Sequence, residues 1–85
     1  MFRLEITRRA EKELRRLPPP LQARLARAID SLSEAPRPPG SKKLRGMDAY
    51  SLRVGEYRII YLVDDAQQLL VLLRIKHRRD VYRGL

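Results

Sequence analysis

The sequence contains no cysteine and a single histidine. Without cysteine there is no disulfide, no thiolate nucleophile and no Cys-based zinc site. One histidine, His77, argues further against a dedicated metal site. Long apolar runs are also missing. The longest, Leu69 to Leu73, is far too short to span a bilayer, so no membrane partner is expected. Met1-Phe2-Arg3-Leu4-Glu5 carries charge at once and shows no apolar signal-peptide segment, so the expected place is the cytoplasm. Acidic residues are scarce: ten Asp/Glu stand against nineteen Lys/Arg, a net charge of +9 on 85 residues. That excess points to an acidic partner, either nucleic acid or an acidic protein segment.

A chain of this length makes one small domain, expected to run over residues 1–85. It buries only roughly 60% of its unfolded surface, so modest stability is expected. The basic excess is uneven. Residues 1–46 hold twelve Lys/Arg and five Asp/Glu, and residues 47–85 hold seven and five. Within the second part, Arg74 to Arg83 holds five basic residues against Asp80 alone.

Phe2, Leu4 and Ile6 alternate with Arg3 and Glu5, which reads as a half-buried strand. Thr7 suits a helix N-cap, and Ala10, Leu14 and Leu17 keep helical spacing. Pro18-Pro19-Pro20 stops that helix and starts a second, whose stripe is Leu21, Leu25, Ala28, Ile29 and Leu32, running to about Glu34. So short a link predicts an antiparallel helix hairpin. Residues 36–41 read as a loop, and 42–46 as basic and irregular. Leu69 to Lys76 is the last long strand, apolar on both faces at its start and so expected inside the sheet. Strict alternation puts Leu69, Val71, Leu73 and Ile75 on one face and Leu70, Leu72, Arg74 and Lys76 on the other. The expected fold is α+β: an N-terminal strand, an antiparallel two-helix hairpin, then a three-stranded antiparallel meander, with both helices on one face of the sheet.

The most informative stretch is Tyr50 to Tyr61. Gly55-Glu56 reads as a type II′ turn, which needs positive φ at its first central residue. A two-residue turn fixes the register: Val54 faces Tyr57, Arg53 faces Arg58, Leu52 faces Ile59 and Ser51 faces Ile60. Leu52, Val54, Tyr57 and Ile59 then share a core face. Arg53 and Arg58 oppose each other on the other face, where Arg74 is also expected. Like charges directly across a strand pair repel. Such a pair either splays into water or acts together on an anion.

These residues, with Leu44-Arg45-Gly46 before the hairpin and Ile75-Lys76-His77-Arg78-Arg79-Asp80-Val81-Tyr82 at the end, resemble the RelE branch of the RelE/ParE toxins of toxin–antitoxin pairs. The resemblance spans essentially the whole chain. It implies a ribosome-dependent, metal-free endoribonuclease that cuts mRNA in the A site, with no cofactor. It also implies an acidic antitoxin protein as partner, and operator DNA only through the toxin–antitoxin complex. By the same resemblance Arg53 and Arg58 match the hairpin cations, Arg78 or Arg79 the late Arg, and Tyr82 the terminal Tyr. Ser51 falls where the best-known branch carries Lys.

Metal-free RNA cleavage needs a base for the 2′-hydroxyl, cations for the phosphate and an acid for the leaving 5′-oxygen. Arg53 and Arg58 suit the phosphate, since guanidinium pairs bidentately with its oxygens but cannot act as a base. Tyr82 suits base stacking, phosphate orientation or proton transfer. His77 is the one side chain of a type that titrates near neutrality, yet its alternation with Ile75 points it toward the helices. Lys42, Lys43, Arg45, Arg74 and Lys76 are candidates to grip RNA or ribosomal phosphates, or are simply solvated. Asp64-Asp65 reads as a turn rather than a metal pair. Two other readings share the fold: a ParE-like toxin that binds DNA gyrase, and a catalytically weak member acting with its antitoxin at operator DNA.

Overall fold

The computed structural model describes residues 1–44, 46 and 48–80. Five strands and two helices follow one another as β1 (Arg3–Ile6), α1 (Arg8–Arg15), α2 (Pro19–Glu34), β2 (Ser41–Lys43), β3 (Ala49–Val54), β4 (Tyr57–Asp64) and β5 (Leu69–His77), then a 3₁₀ turn at Arg78–Asp80. The strands form one sheet in the order β1-β5-β4-β3-β2. β1 runs parallel to β5, which the two intervening helices permit, and the other pairings are antiparallel.

Local chemistry explains the boundaries. Thr7 caps α1: its hydroxyl accepts the Ala10 N–H at 3.1 Å. At the other end of α1 the Gln22 amide donates to the carbonyls of Leu17 at 2.7 Å and Arg15 at 3.2 Å, satisfying groups that a helix end leaves unpaired. Pro19 and Pro20 occupy the first turn of α2, where a missing N–H costs nothing. Gly55 has φ +61° and Glu56 is not in the left-handed region, which is the type II′ turn expected.

The core joins Ala10 of α1 and Leu25, Ile29 and Leu32 of α2 to Ile59, Tyr61 and Val63 of β4 and Leu70, Leu72 and Ile75 of β5. Leu52, Val54 and Tyr57 pack against it, so the hairpin presents the face expected of it. Both helices therefore lie on one side of the sheet. Tyr61 is fully buried, and its hydroxyl donates to the Pro36 carbonyl at 2.7 Å, fastening the loop after α2 to the sheet. Burial pushes the Tyr61 pKa up and keeps it a donor.

Two expectations are corrected. Ser41–Lys43 is neither loop nor irregular: it forms edge strand β2, with Ser41 opposite Leu52 and Lys42 opposite Ser51, so the antiparallel meander has four strands rather than the three expected. Its residues carry no strand signal of their own, and pairing with β3 makes the strand. Lysines on an edge also discourage further strands from adding. The alternation in β5 is not strict either. Ile60 pairs with Arg74 but Tyr61 pairs with Leu72, so Leu73 is an extra residue in a bulge. After it the faces exchange: Leu70, Leu72 and Ile75 all point to the core.

A further tie joins the loop after α2 to the β4–β5 turn. Arg37 donates to Asp65 twice, at 3.1 and 2.6 Å, and to the Tyr50 hydroxyl at 2.9 Å. Its guanidinium also lies 5.2 Å from the centre of the Tyr50 ring. The Arg37 guanidinium holds the Asp65 carboxyl below the usual carboxylate range. A depressed folded pKa adds stability above the unfolded value of about 3.9 and loses it as pH falls through the folded value. Urea unfolding should therefore show Asp65→Asn less stable than wild type at pH 7, with a smaller gap at pH 2.5. A gap unchanged between those pH values contradicts this.

Candidate functional site

The site is built on the face of the sheet away from the helices. Register places Arg53 of β3 opposite Arg58 of β4, and Arg58 opposite Lys76 of β5. Directly paired residues point the same way, so three cations from three strands form one row. Arg53 is exposed and Arg58 half-buried, while Lys76 is only 6% exposed. Lys76 reaches this face because the bulge at Leu73 exchanges the faces of β5.

Each arginine is partly held. Arg58 Nη1 donates to the Ser51 hydroxyl at 3.4 Å, and Arg53 Nε donates to the Gly55 carbonyl at 3.1 Å. Ser51 is buried, so its small hydroxyl braces Arg58 rather than adding a charge of its own. The 3₁₀ turn docks on the hairpin tip: the Arg78 N–H donates to the Glu56 carbonyl at 2.7 Å, and Arg78 Nη1 lies 3.4 Å from the Glu56 carboxylate. Arg53, Tyr57, Arg58 and Arg78 line a shallow cavity of about 140 Å³ at this end. Arg24 of α2 approaches the same tip, with its guanidinium 3.0 Å from where a Cβ on Gly55 would stand. The tip is thus strongly electropositive and suits a phosphate.

A roomier groove of about 600 Å³ lies at the opposite end of β4. Asp48, Asp64 and Asp65 line it, so it does not attract a phosphate chain.

Several sequence candidates fall elsewhere. Arg74 pairs with Ile60, so register keeps it on the face of Arg58 and Lys76 as expected, but its guanidinium is committed to a two-pronged ion pair with Glu13 of α1, at 2.9 to 3.2 Å. Its partner lies 61 residues away in sequence, so no local pattern announces it. His77 shares the core side with Ile75. Its ring meets Tyr57 edge-on at 5.2 Å, and its Nδ1 accepts the Arg79 N–H at 3.2 Å. It is not in the cation row. Arg79 is exposed beside Arg78 in the 3₁₀ turn. Lys42 pairs with Ser51 and so shares the cation face, whereas Lys43 pairs with Tyr50 and faces the other way. Arg45 and Tyr82 lie outside the described residues. Ser51, Glu56 and Glu13 are the supporting residues that sequence reasoning did not assign. Among the described residues no helix is long and apolar enough to cross a membrane.

The family described as the ParE toxin of type II toxin–antitoxin systems, ParDE, matches residues 4–82. Toxin RelG of Mycobacterium tuberculosis is 34% identical over 84 residues, covering 96% of this chain and 97% of that one. The solved toxin–antitoxin complex RelBE2 of the same organism is similar with a TM-score of 0.80 at 32% identity, over 91% of this chain and 98% of that one. The archaeal RelE–RelB complex of Pyrococcus horikoshii gives 0.79 at 29% identity, over 91% and 94%.

Proposed function

Because this chain belongs to the RelE branch of the RelE/ParE superfamily and is a toxin of the type II toxin–antitoxin class, we propose that it is an endoribonuclease that cuts mRNA in the ribosomal A site. The observation that carries this reading is the row Arg53–Arg58–Lys76 across three strands. Three cations aligned on one face suit the charge that builds on a scissile phosphate.

In the proposed reaction the 2′-hydroxyl of the message loses its proton and attacks the adjacent phosphorus. The bond to the 5′-oxygen breaks and that oxygen takes up a proton. The products are a 2′,3′-cyclic phosphate and a 5′-hydroxyl. Arg53 and Arg58 neutralise the charge that grows on the phosphate oxygens, from donors fixed before the reaction starts. Arg78, tied to the hairpin tip through Glu56, extends the same field. Proton transfer falls to Lys76 and Tyr82, since a guanidinium does not release its proton. Lys42 and Arg79 border the path of the RNA backbone. Selectivity for RNA follows from the nucleophile, which DNA lacks.

The partner that restrains this activity is a cognate antitoxin, supported by solved relatives that are toxin–antitoxin complexes. An acidic antitoxin segment fits the net charge of +9. The ribosome and its message are the proposed targets, in the cytoplasm, and operator DNA is met only through the antitoxin complex.

One observation favours a second reading. The matched family model is that of ParE toxins, and a ParE-like protein would bind gyrase and leave RNA intact. The two separate cleanly in cells expressing the toxin. Mapped message ends within A-site codons, with replication continuing, are expected. Whole message with arrested replication would transfer the assignment to gyrase.

A further inference from the structure

Whether Lys76 joins the cation row depends on the bulge at Leu73, and the bulge sits where the sheet runs out of a neighbour. β1 pairs with β5 only as far as Ile6 opposite Leu72. Beyond that point β5 has a free edge, and its backbone groups need other partners. The start of α1 supplies them. The Thr7 N–H donates to the Leu72 carbonyl at 3.0 Å, and the Thr7 hydroxyl donates to the Leu73 carbonyl at 3.1 Å. Further along α1, Glu13 Oε1 accepts the Ile75 N–H at 2.9 Å. The same carboxylate takes both prongs of Arg74, with the two side chains about one-fifth exposed, at 21% and 20%.

Glu13 thus grips both residues that follow the bulge, Arg74 by its side chain and Ile75 by its backbone. Charge-assisted, two-pronged bonds of this kind fix geometry as well as adding stability. Were β5 to lose the bulge, strict alternation would turn Lys76 to the helix side with Leu70 and Leu72, and Ile75 would leave the core. With Leu70 and Leu72 fixed in the core, only the bulged form puts Lys76 opposite Arg58 on the face away from the helices.

We propose that Glu13 is a positioning residue for RNA cleavage: by clamping Arg74 and the Ile75 N–H it holds the β5 bulge, and so holds Lys76 in line with Arg53 and Arg58. This rests on the nuclease reading above. Glu13 acts on the chemical step through Lys76 and leaves the encounter with RNA to the exposed arginines.

The test is a double-mutant cycle on ribosomes programmed with a defined message, in single-turnover conditions. Glu13→Ala is expected to lower the maximal cleavage rate about 10²-fold, the size of loss that a misplaced catalytic group produces. The toxin concentration giving half the maximal rate should change less than about threefold, as exposed cations set binding. Glu13→Gln keeps one acceptor for the Ile75 N–H and no charge for Arg74, so an intermediate loss is expected. It is also the variant to use if Glu13→Ala does not fold. The decisive comparison is Lys76→Ala with and without the Glu13 change. If Glu13 acts through Lys76, the double variant is no slower than Lys76→Ala. Losses that multiply would overturn the inference, because they would mean independent roles.

A second arm needs no activity. Nuclear Overhauser cross-peaks between the Lys76 and Arg58 side chains are expected in the wild type and absent from the folded Glu13 variant. Cross-peaks that persist in the variant would overturn the inference even if the wild type cuts RNA. A wild type that cuts nothing, paired with a Glu13 variant in which Lys76 has moved away from Arg58, would instead overturn the nuclease reading and leave the clamp standing.

Discussion

Replacing Arg58 by Ala is expected to lower A-site cleavage by about 10²–10³-fold, as removal of a fixed donor to a transition-state oxyanion does. Arg58 is the middle cation of the row, paired with Arg53 on one side and Lys76 on the other. Arg53 is engaged with the Gly55 carbonyl, and Arg78 with Glu56. Stability should hold or rise slightly, since the change relieves like charges directly opposed across strands. Arg58→Lys should fall between, keeping the charge but losing the planar, two-pronged grip on phosphate. Cleavage rates on programmed ribosomes, read beside urea unfolding, check this. Equal losses of activity and fold would mean that Arg58 is structural.

The second large effect concerns the scaffold. Leu25 of α2 is 1% exposed and sits among Ile59, Tyr61 and Leu72 in the core. Truncating a buried Leu to Ala removes its transfer free energy and leaves a cavity, at a cost of about 2–5 kcal/mol. A chain of 85 residues has a total stability on the order of 4–13 kcal/mol. Leu25→Ala should therefore shift the urea midpoint strongly and leave a measurable unfolded fraction at 37 °C. A midpoint within the error of wild type would contradict the assignment of α2 to the core.

The hairpin was fully legible in the sequence, register included. A glycine at one turn position fixes which residues oppose which, and nothing distant needs to be known. Thr7 as a cap and the proline break between the helices are local signals too, and both stand in the structure. β5 was legible only in part. Leu69 to Leu73 is apolar on both faces, so a period of two has no polar residue to reveal where it slips. Contacts from α1 meet the strand at the bulge, and the Glu13–Arg74 pair beside it spans 61 residues. Strand β2 was hidden for a similar reason, since two lysines become a strand only when β3 offers its edge. The consequence reaches the site. Arg53 and Arg58 were placed together by the turn, whereas only the bulge lets Arg74 and Lys76 share their face while Leu70 and Leu72 point to the core, and only the Glu13 pair shows that the Arg74 guanidinium is drawn away.

The most direct measurement uses purified wild-type protein, ribosomes and two messages that differ only in one sugar. One carries ordinary ribose throughout the A-site codon. The other carries 2′-deoxyribose on the 5′ side of the mapped cut. The account predicts cleavage of the first, leaving a 2′,3′-cyclic phosphate, and no cleavage at that position in the second. Cleavage of both messages at the same bond, or of neither, would contradict it.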